Sequence, residues 1–353
     1  MMIHPIICED IDNIVERVNG WDKLKGRTIL CAGAGSLIGG YTAMAMSRAG
    51  QRYGLGLKIV CLVRTLSKAA ERFAEFIADP GFSLIETDLG YSLNYDGDAD
   101  IIIHSGGSSS PWAYANDPVG ILRSNVAGAL DLLELAKKRK SEAILFFSTR
   151  EVYGNPAGTK PIREEDLGPM DHMITRNIYP ECKKLTESAL AAYGAQHGIP
   201  WYIYRIASVY GPDMKLANDG RAISDFVRAA ISGDDIVLTG DGRAVRSYCY
   251  ITDCVCGILD GLLSGERNMV YNLANETMQL SIKETAELAL EVGGAGSLRF
   301  AGAAPIRAEG KSAPQYSSFA YAPMDTGRLE ALGWEPVIGL REGLERTIAF
   351  FRI

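Results

Sequence analysis

With 353 residues the chain can bury a substantial core, and its formal charge of −7, from 36 basic against 43 acidic residues, leaves no electrostatic footprint for nucleic acid or an anionic membrane. Residues 1–25 carry Glu9, Asp10 and Asp12 and no long apolar stretch, unlike an export signal, and no apolar run reaches membrane-spanning length. Seven scattered cysteines, odd in number, with a Cys254-Val255-Cys256 pair that lacks zinc-site spacing, point to reduced thiols, a cytoplasmic protein and no metal.

In chain order, Ile11, Ile14, Val15 and Val18 recur at helical spacing and predict a short amphipathic helix in an N-terminal extension, residues 1–25. Apolar runs at Thr28–Ala32, Leu57–Val63, Ile101–His104, Ala143–Ser148 and Trp201–Ile206 predict buried parallel strands. Helical patterns at Gly40–Ala49, Leu66–Ile77, Val119–Lys138 and Pro180–Gly198 separate them. This alternation predicts an α/β chain with a Rossmann-type doubly wound parallel sheet, placed at residues 26–210. From Gly211 the pattern shortens, with a turn at Gly240-Asp241-Gly242 and helices near Ser281–Glu291 and Asp325–Leu332. Residues 211–353 are expected to form a smaller substrate-binding lobe, interleaved with the last strands of the sheet. The Gly- and Ala-rich stretch Gly293–Pro314 is its most loop-like part.

After the first strand comes Gly33-Ala34-Gly35-Ser36-Leu37-Ile38-Gly39-Gly40, followed by a helical pattern. Glycines there allow a tight turn and close backbone approach, so that a pyrophosphate can rest on free amides at the positive end of the helix. A carboxylate for the adenosine ribose of NAD would normally end the second strand, but the chain reads Leu62-Val63-Arg64-Thr65. Arg64 can pair with a 2′-phosphate, so NAD and NADP both stay open as cofactors. Asp88, followed by Leu89, ends a third strand-like run and is placed to accept from an adenine amine.

Tyr179 and Lys183 stand four residues apart and so share one helix face. A nearby ammonium stabilises a phenolate, which suits the pair to exchange a proton with a sugar hydroxyl near neutral pH. Upstream, Ser148-Thr149-Arg150-Glu151 follows a strand at the sheet edge where open α/β proteins bind ligands.

Together these motifs resemble, in order and spacing, the extended short-chain dehydrogenase/reductases of the nucleotide-sugar epimerase/dehydratase family, from about Lys25 to the C-terminus. The turn is similar to the family's TGxxGxxG, with Ala32 and Ser36 replacing Thr and Gly, and the resemblance makes Gly33, Gly35, Ser36, Leu37, Ile38 and Gly39 the cofactor turn. His104-Ser105-Gly106-Gly107 matches the segment that lines the cofactor after the fourth strand. The family then implies Thr149, Tyr179 and Lys183 as the catalytic set: Tyr179 takes the proton of the sugar 4-hydroxyl, Thr149 hydrogen-bonds that oxygen, and Lys183 binds the nicotinamide ribose and lowers the tyrosine pKa.

Arg205-Ile206-Ala207-Ser208-Val209-Tyr210-Gly211-Pro212 resembles RxxNxYGP, with Ser208 at the position of an Asn that touches substrate phosphates. Asn218-Asp219-Gly220-Arg221 and Gly240–Tyr248 are similar to the nucleotide-diphosphate site, which implies Arg221 and above all Arg246 as clamps, with Arg243 at the surface. Once C4 is a ketone, epimerisation, 4,6-dehydration and decarboxylation all become accessible. Arg150 stands where the dTDP-glucose dehydratase pattern has an acid, whereas Glu151, Arg246 and the loop from Ser109-Ser110-Pro111 to Asp117-Pro118-Val119 are similar to UDP-glucuronate decarboxylases. The expected order is therefore decarboxylase, then 4-epimerase, then dehydratase. Glu151 joins the catalytic set, and Ser110, Arg150, Ser208, Arg221 and Arg246 the substrate-binding one. A non-catalytic cofactor-binding scaffold is disfavoured by the intact Thr149/Tyr179/Lys183 set. The expected partners are a nucleotide-diphosphate sugar and a second copy of the chain, paired through Val119–Lys138 and Pro180–Tyr193.

Overall fold

The structure, a computed structural model, describes residues 3–156, 160–301 and 321–352. The predicted loop at 293–314 lies outside the described residues from 302 onward. Helix α1 (Pro5–Arg17) starts with a proline, whose missing N–H costs nothing at a helix start, and buries Ile7, Ile11, Ile14 and Val15. It also buries Asp10, whose carboxylate accepts from the Tyr250 hydroxyl at 2.9 Å and from Arg346 at 2.8 Å, which binds this segment to the C-terminal part of the chain.

Strand β1 (Thr28–Ala32) leads through α2 (Leu37–Arg52) to β2 (Lys58–Val63), and α3 (Leu66–Arg72) leads to β3 (Phe82–Glu86). The chain then crosses to β4 (Ile101–His104) and passes α4 (Pro111–Asn116), α5 (Pro118–Leu122), a π turn at Arg123–Ala127 and α6 (Gly128–Arg139). Strand β5 (Ala143–Thr149), helix α7 (Ile178–His197) and β6 (Trp201–Ile206) follow. The predicted strands agree to within a residue or so because each is an uninterrupted apolar run, as a sheet buried on both faces requires. The predicted helix over 119–138 is instead three pieces, since the π turn re-phases it.

Beyond β6 come β7 (Ser208–Tyr210), α8 (Ala222–Ser232), β8 (Ile236–Leu238), β9 (Val245–Tyr250), α9 (Ile251–Ser264), β10 (Met269–Leu273), β11 (Asn275–Ser281), α10 (Ile282–Gly293), β12 (Leu298–Phe300), α11 (Gly327–Glu330) and α12 (Leu340–Phe351). The main sheet runs β10-β6-β5-β4-β1-β2-β3, all parallel. Strand β10 thus returns from the second half of the chain to its edge. Strands β7, β9 and β11 form a separate three-stranded sheet, and β8 pairs with β12.

Alternate residues of β1 enter two cores: Ile29 and Cys31 face the α1, α2 and α9 side, whereas Leu30 and Ala32 face α6 and α7. Cys31 lies opposite Cys61 in register, both reduced and buried. Among the described residues no helix is long and apolar enough to cross a membrane. Strand β1 is flanked by β2 on one side and β4 on the other, so the strand order reverses there, and the crevice beyond the carboxyl ends of β1 and β4 is where such sheets bind ligands.

Candidate active site

Gly33 leaves β1 with φ +86°, and a Cβ there would stand 2.5 Å from the backbone of Gly106, so the ends of β1 and β4 meet through residues without side chains. Ser36 caps α2, its hydroxyl accepting from the Gly39 amide at 3.1 Å, and Leu37 and Ile38 open the helix, where amides have no intrahelical partner. A Cβ on Gly35 would meet nothing within 4 Å, which leaves the outer side of the turn open to close approach. Arg72 braces the turn from behind, donating to the carbonyls of Ala34 at 3.2 Å and Ser36 at 2.9 Å while pairing with Asp213 at 2.7 Å. Such a turn, with first-turn amides on the positive end of a helix, fits a dinucleotide pyrophosphate.

Arg64 is exposed at the end of β2, and Asp88 is exposed beyond β3. Leu89 is buried against the backbone of Gly106 and Gly128. His104 is fully buried beside the Phe146 ring, centroids 5.2 Å apart, with neither ring nitrogen hydrogen-bonded. Burial, and secondarily the charge of Lys183, pushes its pKa down to about 3, so the imidazole is neutral.

Helix α7 carries Tyr179 and Lys183 on one face, both buried. The Thr149 hydroxyl hydrogen-bonds the Tyr179 phenol, and the Tyr179 ring stacks on Tyr114 with centroids 4.8 Å apart and planes 14° from parallel. Lys183 points toward the sheet: its Nζ donates to the Phe147 carbonyl at 2.9 Å and lies 4.5 Å from the Phe146 ring and 5.7 Å from the Tyr179 ring. The tyrosine pKa is accordingly raised, by burial first and by the Glu151 charge second, rather than lowered by the lysine. Burial pushes Lys183 itself down to about 7.

Glu151 follows Thr149 in a tight turn at Arg150–Tyr153. Arg176, at the entry to α7, takes both its carboxylate oxygens, at 2.6 and 3.1 Å, and lies 5.7 Å from the Tyr114 ring. The pair is nearly buried, with 15% and 12% of the side chains exposed, so the fork is a strong charge-assisted contact. Sequence spacing alone missed Arg176 as a site residue, although its position three residues before Tyr179 puts it one helical turn away. Tyr114 likewise emerges only through its stack.

Arg150 and Arg246 are both buried, and each lies within electrostatic reach of the other and of Tyr248 and Glu151. Burial, reinforced by Arg150, pushes Arg246 down to about 10, and its Nη1 donates to the Val245 carbonyl at 2.8 Å. Ser110 donates to the carbonyls of Asn218 at 3.1 Å and Asp219 at 2.7 Å, and Arg221 pairs with the Asp219 carboxylate at 2.6 Å, so these loops meet at one place. Ser208 is half-buried at the start of β7, opposite Tyr248, whereas Arg243 is exposed.

The NAD dependent epimerase/dehydratase family model matches residues 29–274. UDP-glucuronic acid decarboxylase 5 of Arabidopsis thaliana is 32% identical over 284 residues, 80% of this chain and 78% of that protein. UDP-glucuronic acid decarboxylase 1 of Xenopus tropicalis is 32% identical over 277 residues, 78% of this chain but 62% of that longer protein. Among solved structures, UDP-glucuronic acid 4-epimerase from Bacillus cereus, in complex with UDP-glucuronic acid and NAD, superposes with a TM-score of 0.75 at 22% identity, over 92% of this chain and 98% of that one. dTDP-glucose 4,6-dehydratase from Bacillus anthracis, in complex with NAD, gives 0.73 at 20% identity, over 92% and 96%. At such identities the two superpositions speak for the fold.

Proposed function

The chain belongs to the NAD dependent epimerase/dehydratase family, and we propose that within it the protein oxidises C4 of UDP-glucuronate, or a close nucleotide-linked uronic acid, and releases carbon dioxide. The observation that carries this reading is the Glu151 carboxylate, held by Arg176 next to the Thr149–Tyr179 pair, in a chain whose relatives at 32% identity are UDP-glucuronic acid decarboxylases.

The turn from Gly33 to Gly39 would hold the pyrophosphate of NAD or NADP, with Arg64, Asp88, Leu89 and His104 as its further contacts. A bound nicotinamide ring supplies reversible two-electron oxidation at C4. Tyr179 takes the proton of the C4 hydroxyl through its phenolate form, whose population burial keeps small, and Thr149 hydrogen-bonds that oxygen and fixes its direction. Lys183, with a pKa of about 7, needs little free energy to change state near neutral pH and would hold the ribose hydroxyls of the dinucleotide. Glu151 acts on the C5 carboxylate of the resulting β-keto acid. The bond from C5 to that carboxylate breaks, its electron pair passes to the C4 carbonyl oxygen as an enolate, carbon dioxide leaves, and a proton is taken up at C5. Tyr179 then returns its proton to the C4 oxygen as the ketone is reduced. Ser110, Ser208, Arg221 and Arg246 hold the polar and anionic parts of the nucleotide sugar. With Arg150 where a dehydratase needs an acid, loss of water from C5 and C6 has no donor at that position.

Incubation of the purified protein with UDP-glucuronate should release carbon dioxide and leave a UDP-pentose identifiable by mass spectrometry. Inversion at C4 without carbon dioxide would replace this reading by a 4-epimerase.

A further inference from the structure

Arg72, at the end of α3, lies behind the glycine turn with 16% of its side chain exposed. Its Nη1 donates to the carbonyls of Ala34 and Ser36, at 3.2 and 2.9 Å. In a planar trans peptide the carbonyl and the amide that follows it point opposite ways. Drawing these two carbonyls back toward Arg72 therefore turns the amides of Gly35 and Leu37 outward, to the side of the turn where Gly35 leaves open space.

Two other positions in the chain are shaped for this contact. Gly40 stands in the first turn of α2, where alanine would serve the helix better, but a Cβ there would lie 2.6 Å from the central carbon of the Arg72 guanidinium. Asp213 follows Pro212 in a tight turn that the Met214 amide closes on the Gly211 carbonyl at 3.2 Å. Its φ is +67°, a conformation that glycine adopts without strain in that place. An aspartate stands there instead, and its carboxylate lies 2.7 Å from Arg72 Nε. Strain of this kind persists where a contact holds it. The Tyr41 hydroxyl of α2 makes a second tie to the same segment, at 3.4 Å from the Pro212 carbonyl. We propose that Arg72 is a positioning residue, anchored by Asp213, which aims the amides of Gly35 and Leu37 at the pyrophosphate of the dinucleotide. The grip on the cofactor thus depends on a residue from the second half of the chain, between Ser208 and Arg221. Because Asp213 balances the guanidinium charge, Arg72 contributes direction more than field. The inference rests on the turn holding a dinucleotide and not on the reaction that follows.

Calorimetry on the purified full chain, cleared of any dinucleotide it carries, measures binding of ADP-ribose, which has the pyrophosphate common to NAD and NADP, and of UDP. Arg72→Ala should weaken ADP-ribose by about 10- to 100-fold, as expected of lost charge-assisted hydrogen bonds, and leave UDP within about threefold. Asp213→Gly should weaken ADP-ribose by about three- to tenfold although glycine suits the turn better, which a merely structural role would not produce. Gly40→Ala should cost about tenfold in the unaltered chain but less than about threefold on top of Arg72→Ala, where the space is free. Arg72→Lys keeps the charge but cannot serve both carbonyls and the carboxylate; it should fall between, and it is the milder change should Arg72→Ala fail to fold. ADP-ribose binding unchanged in Arg72→Ala and Asp213→Gly would overturn the proposal. So would equal losses for UDP, or a Gly40→Ala loss that is the same in both backgrounds. An unaltered protein that binds no ADP-ribose would remove the dinucleotide reading of the turn, and the proposal with it.

Discussion

Arg176 grips the Glu151 carboxylate with both terminal nitrogens, across 25 residues of chain and in a nearly dry pocket. The contact fixes the direction of the carboxylate beside the Thr149–Tyr179 pair. In Arg176→Gln the fork is lost and Glu151 is free to turn, so kcat should fall by about tenfold or more, roughly 1.4 kcal/mol, with the fold unchanged by circular dichroism. An unchanged kcat would mean that the grip on Glu151 does not serve turnover.

Glu151→Gln keeps shape and hydrogen-bonding capacity but removes the charge. Carbon dioxide release should fall by about 10²–10⁴-fold, while oxidation at C4, followed by the absorbance of the reduced nicotinamide, falls far less. In a 4-epimerase the same change should cost no more than about tenfold in turnover, roughly 1.4 kcal/mol.

Lys183 titrates at about 7 in the folded protein against 10.5 for an ordinary lysine. Between those values the unfolded chain binds more protons than the folded one, so stability from this residue rises with pH, and its full cost applies below about pH 7. Lys183→Met should therefore abolish turnover yet raise Tm at pH 7, by about 2–4 °C or more, with the gain shrinking as pH approaches 9. Thermal melts of both proteins from pH 6 to 9 would check it; a gain that grows with pH would contradict the burial argument.

Arg64 stands exposed at the end of β2, the place where a 2′-phosphate would lie. Replacing it with Ala should weaken NADP by about tenfold and leave NAD unchanged, the effect of one exposed charged contact. Denaturing the purified protein and identifying the dinucleotide that comes off shows which cofactor it carries. Loss of affinity for both dinucleotides in the variant would place Arg64 against the adenine instead.

Val119 and Leu122 of α5, Leu130 of α6 and Leu185 of α7 are exposed on neighbouring helices. We expect a homodimer through these helices, which would cover this apolar face. Light scattering at micromolar concentration should give twice the mass of the chain, and Leu130→Glu with Leu185→Glu should halve it. A monomer in the unaltered protein would count against the pairing.

The parallel strands were legible because each is a short apolar run between turn residues, and β1, β4 and β6 coincide residue for residue with those runs. The glycine turn was legible because its conformation admits no side chain at Gly33. What the sequence hid is tertiary. The reach of Arg176 to Glu151 spans a stretch with no periodic pattern, and the rotamer of Lys183 depends on the Phe147 carbonyl of a different element. Strand β10 is short, and its return to the first sheet follows from contacts with β6 rather than from its own composition.

The π turn at Arg123–Ala127 makes this stretch intolerant of changes in length. Its wider turn sets Asn125 fully inside, where its side chain donates to Ile121 at 2.9 Å and its backbone carbonyl accepts from Thr186 of α7 at 3.0 Å. Deleting one residue from the π turn would let an ordinary α-helix run from α5 into α6 but would take Asn125 from its place against Gly107 beneath the cofactor segment. Adding or removing a residue in the regular turns that follow would rotate everything beyond by about 100°, and Leu132, Leu133 and Ala136 would turn away from the sheet. A substitution on the outer face of this helix leaves core and crevice in place, whereas an insertion or deletion disturbs one or both.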